Sequence, residues 1–171
     1  MLVAVAEPAS AQVIDDWLAA LRDWRVAEQL RLSFYAYPIV NTLHILGFAL
    51  LIGGIVLVDL RLLGLFARTP VTFFGRILEP MAIVGLLLAA TAGFLLFVVK
   101  PLDYAENPSF LVKMGLIAAG IVNGVTQRFG SRWRVAMNEG VIAPSMRVQA
   151  FLSLVIWTAA LFAGRFIAFL E

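Results

Sequence analysis

The chain contains no cysteine. Disulfides, thiolate metal sites and thiol catalysis are therefore all excluded. Charge is scarce: Asp, Glu, Lys and Arg make up 14% of the 171 residues, against about a quarter in a soluble domain. Histidine is rarer still, with His44 the only one. No glycine-rich phosphate loop is present, and no serine, histidine and acid fall near one depth, so classical hydrolysis and phosphoryl transfer have no support. No pair of carboxylates lies within an apolar stretch. A net charge of +2 gives no reason to expect nucleic acid as a partner.

What fills the chain instead is hydrocarbon. Hydrophobic residues make up 62% of it, gathered into blocks near the roughly 20 residues that cross a bilayer. The expected architecture is an all-α integral membrane protein: a four-helix transmembrane bundle preceded by an amphipathic interfacial helix. The spans fall near 35–58, 80–99, 110–127 and 148–170, within a bundle covering 35–171. Residues 1–13 read as a flexible lead. Ala9-Ser10-Ala11 has the small residues of a signal-peptide end, but the basic start and long apolar core of such a peptide are missing. Between 14 and 33, Ile14, Trp17, Leu18, Leu21, Trp24 and Leu30 recur at helical spacing among charged residues, the pattern of a helix lying in the membrane surface. The alternative is a solvent helix packed on the bundle end.

The basic residues set an orientation. Arg61, Arg68, Arg76, Arg128, Arg132, Arg134 and Arg147 lie in the connections after spans one and three. Once Lys113 and Arg165 are set aside as lying within spans, the other side has Arg22, Arg25, Arg31 and Lys100. By the positive-inside rule both termini face away from the cytoplasm, which in a bacterial inner membrane means the periplasm. The bilayer is the first partner, and the small, glycine-striped spans fit a homo-oligomer or a larger membrane complex.

His44 is the chemically distinctive residue. It lies roughly 13 Å into span one at helical rise, and an ionisable group at such depth is a functional candidate by default. Lys113 and Met114 near the start of span three, and Arg165 near the end of span four, fall at a similar depth. His44, Gly47, Leu51, Gly54, Val58 and Arg61 form one stripe. Ala82, Gly85, Ala89 and Ala92, then Gly120 and Gly124, then Ser153, Trp157, Ala160 and Gly164 form small-residue stripes on the other spans. Such stripes serve close helix packing; beside His44 they can also admit a flat cofactor. An imidazole can be an axial haem ligand, a copper ligand or a proton-transfer group. The candidate cofactor site is therefore His44, Gly47, Lys113, Met114, Trp157 and Arg165, with His44 as metal ligand, haem b as the first cofactor and copper as the second. Lys113 and Arg165 are candidate partners for haem propionates, and Met114 is a candidate sixth ligand. A single histidine rules out bis-histidine ligation within one chain. Asn123 is placed to hydrogen-bond between helices. Asp59 and Arg61 are expected to pair with each other, with backbone, or with Arg76 and Glu79.

Several segments resemble a family of uncharacterised small four-span bacterial membrane proteins. They are Trp17-Leu18, Tyr37-Pro38, Thr42-Leu43-His44-Ile45-Leu46-Gly47, Asp59-Leu60-Arg61-Leu62-Leu63-Gly64, Asn107-Pro108-Ser109-Phe110 with Lys113, Asn123, and Ser153-Leu154 through Trp157 to Ala163-Gly164-Arg165. The family usually has glutamate where this chain has Asn41, so a carboxylate one turn before the histidine is missing here. An early-span histidine followed by glycines is also distantly similar to copper-resistance permeases and to haem-binding protoporphyrinogen-oxidising membrane proteins. Three functions follow as expectations: a small b-type haem or redox subunit using His44, a non-catalytic scaffold with a structural histidine, and transport of copper or a small solute.

Overall fold

A computed structural model of the chain describes residues 9–167, all of them in helices and short connections. The helices are α1 (Ala9–Arg22), α2 (Arg25–Leu32), α3 (Ala36–Leu63), α4 (Val71–Phe97), α5 (Pro101–Glu106), α6 (Pro108–Phe129), α7 (Ser131–Glu139) and α8 (Pro144–Phe166). Four of them, α3, α4, α6 and α8, are long and apolar enough to cross a bilayer. They run alternately up and down, so the chain is a multi-pass all-α membrane bundle.

The N-terminal segment is two helices, where the periodicity predicts one. It is helical from Ala9 and bends at Trp24, whose backbone is extended (φ −63°, ψ 135°). The bend lets α2 bury Ala27 and Leu30 on the bundle while Trp17 on α1 stays 72% exposed, as an aromatic meeting a membrane surface would be. Arg31 donates to the Val99 carbonyl (3.3 Å), fastening α2 to the end of α4. Residues 1–8 of the expected lead lie outside the described residues.

α4 begins nine residues before the apolar run does. Val71 and Phe74 bury against Val58, Leu62, Trp133, Ala136, Met146 and Ala150, a core that closes one end of the bundle. Glu79, too polar for a span by composition, is ion-paired with Arg128 of α6. Pro80 sits inside the helix, which membrane helices accommodate when packing holds them together. Two short helices are absent from the hydropathy pattern. α5 starts on Pro101, and α7 presents Trp133 and Ala136 to the core before Gly140 ends it in the left-handed conformation (φ 74°). α3 ends in a Schellman motif: Gly64 (φ 111°) donates to Arg61 and Leu65 donates to the Leu60 carbonyl, satisfying the last carbonyls of the helix.

The tightest seam joins α3 to α4. A Cβ added at Gly47 would lie 2.5 Å from the Ala89 nitrogen, and one at Gly85 would lie 2.5 Å from the Leu51 nitrogen. The two backbones are therefore in direct contact, as small residues permit. α6 is joined to α8 by polar side chains one turn apart. Asn123 Nδ2 donates to the Gln149 carbonyl (3.1 Å), and Gln127 Nε2 to that of Met146 (3.4 Å). Asn123→Ala is expected to destabilise the bundle by only about 0.6 kcal/mol, the average for such bonds in a membrane, read as a shift of the unfolding midpoint in mixed detergent.

α3 also packs on α8, whereas α4 and α6 do not pack along their lengths. They are bridged at their ends. The Glu79–Arg128 ion pair closes one end. At the other, Phe97 of α4 stacks on Phe110 of α6 (5.5 Å between centroids, 12° between planes), with Tyr104 of α5 against both. Between these two clamps a cleft runs along the bundle, floored by α3 and α8.

Candidate functional site

The cleft has two halves that share Leu51, Leu86 and Trp157. The half towards the chain termini is a cavity of about 660 Å³, within the 300–1,000 Å³ usual for small-molecule sites. Phe48, Phe94, Phe97, Phe110, Ile117 and Trp157 give it an apolar, aromatic wall, and His44, Lys113, Met114, Asn41, Tyr37 and Tyr104 add the polar and sulfur groups.

His44 is held by α4. Its Nδ1 lies 2.8 Å from the Ala89 carbonyl oxygen. A carbonyl only accepts, so Nδ1 carries the proton and Nε2 keeps its lone pair. No described residue hydrogen-bonds to Nε2. The ring lies against Gly93, where a Cβ would come 2.9 Å from Cε1 and 3.1 Å from Nδ1. Gly93 is therefore the space in α4 that the imidazole occupies. This is the usual support of a ligating histidine, whose other ring nitrogen is fixed on a carbonyl or carboxylate.

Lys113 enters from α6. Its ammonium stands 5.9 Å over the Phe48 ring, within cation–π range. The end of its stem lies 3.4 to 3.5 Å from the position a Cβ would take at Gly164 of α8. Phe48 in turn faces both His44 (6.3 Å) and the indole of Trp157 (6.4 Å). A cation, an imidazole and two aromatic groups thus share one apolar cavity.

The other residues expected from the sequence fall as follows. Met114 is 39% exposed at the rim of the same cavity. Trp157 is buried and separates the two halves; Gly120 makes room for its ring, since a Cβ there would lie 2.8 Å from it. Gly47 faces α4 rather than the cavity, its space filled by Gly85 and Ala89. The stripe beside His44 is thus occupied by a helix. Gly54 and Gly85 likewise meet the facing helix within one chain. Arg165 is exposed near the end of α8 and does not line the cavity. Gly93, Phe48, Ala89 and the Phe97–Tyr104–Phe110 stack were not expected. The signal for Gly93 was available: a glycine on span two at the depth of the only histidine.

Asp59 and Arg61 do not pair. Arg61 donates Nε to the Thr69 carbonyl (2.7 Å) and Nη2 to that of Ala67 (3.4 Å), holding the α3–α4 connection. Asp59 points instead to the second half of the cleft. No three His, Cys, Asp or Glu side chains gather to hold a metal among the described residues, so any metal at His44 needs donors from elsewhere, such as the nitrogens of a tetrapyrrole. Compared with protein-family models, curated proteins and solved structures, the chain matches none.

Proposed function

We propose that the His44 cavity binds a b-type haem or a closely related tetrapyrrole, making the protein a small redox subunit of a bacterial inner membrane, with both chain ends on the periplasmic side. One observation carries this reading: an imidazole whose Nδ1 is fixed on a backbone carbonyl and whose Nε2 is uncommitted stands in an aromatic cavity of ligand size. The residues present fit the group. His44 would hold the metal through Nε2 and Lys113 would meet a propionate, with Met114 a further donor on the wall. Arg165, exposed and outside the cavity, has no part in this arrangement.

Bound there, such a group supplies one-electron redox chemistry. The chain's own part is to bind and orient. Ala89 fixes the tautomer and makes the imidazole a better donor. Gly93 gives the ring its place. Phe48, Phe97, Phe110 and Trp157 would keep water from the bound group, which bears on its potential. The lateral cleft between α4 and α6 offers an entry from the bilayer for a flat apolar molecule.

The scaffold reading has one observation in its favour, because the His44–Ala89 bond also ties α3 to α4. The two readings part on purified protein. An absorbance and metal scan, followed by titration with haem b, is expected to give a Soret band saturating at one haem per chain. Colourless, metal-free protein with no Soret shift on titration leaves only the scaffold.

A further inference from the structure

The second half of the cleft, about 300 Å³, is lined by a buried carboxyl group. Asp59, near the end of α3, is 2% exposed. Ser153 of α8 lines the same cavity, and Asp59 Oδ2 has no hydrogen-bond partner. The nearby cations are engaged elsewhere. Arg61 bonds the Thr69 and Ala67 carbonyls, and Arg128, on the wall of this cavity, is paired with Glu79. A buried carboxyl group left in this way is costly whether ionised or protonated, because it lacks a donor in one state and an acceptor in the other.

The rest of the wall says what would satisfy it. Apart from Asp59, Ser153 and the Glu79, Gln127 and Arg128 end, the cavity is hydrocarbon and the indoles of Trp133 and Trp157. Calcium takes six to eight oxygens and magnesium six, many of them water, and nothing of that kind surrounds Asp59. A positive charge carried on an apolar body matches both features: the carboxylate meets the charge, and the indole faces attract cations. The way in is also apolar. Ile83 of α4 and Ile121 and Val125 of α6 line this cavity while remaining exposed at 49%, 38% and 49%, along the flank where α4 and α6 are not packed.

We infer that the Asp59 half of the cleft is a binding site for a small hydrophobic organic cation that enters from the bilayer between α4 and α6. The site is independent of the His44 cavity beyond Trp157. It recognises a delocalised or substituted ammonium of one or two rings, the size the cavity admits.

The test is equilibrium binding of 1-methyl-4-phenylpyridinium to the full chain in nanodiscs, with 4-methylbiphenyl as the uncharged molecule of similar shape. Saturable binding at one site per chain is expected, weakened at least tenfold in Asp59→Asn and by less than threefold in Ser153→Ala. His44→Ala is expected to bind as the wild type does, which separates this site from the haem reading. The inference is overturned if the wild type shows no saturable binding, if Asp59→Asn binds equally well, or if 4-methylbiphenyl binds as tightly as the cation. The last comparison needs only wild-type protein, so it decides the matter even where Asp59→Asn does not fold.

Discussion

His44→Ala is expected to abolish the Soret band while leaving a folded bundle. The side chain contributes one bond across the α3–α4 seam, worth under about 2 kcal/mol in a membrane, whereas in the proposed site it is the residue that would hold the metal. The variant that separates the readings is Gly93→Ala. Its new Cβ would stand 2.9 Å from Cε1 and 3.1 Å from Nδ1 of the imidazole, so the ring must give way by a few tenths of an ångström and strain its 2.8 Å bond to Ala89. Disturbing the outer partner of a ligating histidine typically costs about 10- to 100-fold in affinity, and haem titration of Gly93→Ala should show a loss of that order with the band still present. Gly115→Ala is the control, because a Cβ at Gly115 meets nothing within 4 Å. Equal haem affinity in Gly93→Ala and wild type would remove His44 from the ligand's reach.

Which parts of this were legible in the sequence follows from which signals are local. The four spans were, because each is a run of hydrocarbon and hydropathy needs no partner to be read. Their ends were not. α4 continues through Arg76, Glu79 and Pro80 back to Val71, since Glu79 is compensated by Arg128 from a helix almost fifty residues later. α7 was hidden for a related reason: it is too polar for a span, and only Trp133 and Ala136 reveal the face that plugs the bundle end.

The site divides the same way. Counting residues along antiparallel spans put His44, Lys113, Met114 and Arg165 at neighbouring depths, and the first three line one cavity. Depth says nothing about azimuth, however. Gly47 and Arg165 share that depth yet turn elsewhere, Gly47 into α4 and Arg165 to the surface. Of the alternatives for Asp59 and Arg61, a pair with each other overlooked helical geometry, since residues two apart do not face one another, whereas the backbone alternative holds for Arg61. The uncommitted Oδ2 of Asp59 and the unpacked α4–α6 flank are tertiary facts, invisible until each neighbour's partners are known.

The seam that carries Ala89 to His44 is also where the largest structural effect is expected. A side chain at Gly85 would begin with a Cβ 2.5 Å from the Leu51 nitrogen, 2.7 Å from the Gly47 oxygen and 2.9 Å from the Leu50 Cβ. Two of these three atoms are backbone of the facing helix, so no rotamer change relieves the clash. Gly85→Val must move α3 away from α4, with a cost of about 3 kcal/mol, the upper end for overpacking, against a total stability of roughly 5–15 kcal/mol. Gly53→Ala is the matched control one helix away. Its Cβ meets nothing within 4 Å, and replacing glycine by alanine inside a helix is neutral or favourable. Unfolding in mixed detergent should show a large loss for Gly85→Val and none for Gly53→Ala. Because the same displacement carries the Ala89 carbonyl away from Nδ1, haem affinity should fall together with stability in Gly85→Val. A Gly85→Val protein that unfolds like the wild type would mean that α3 and α4 are not in backbone contact, and the support proposed for His44 would fall with it.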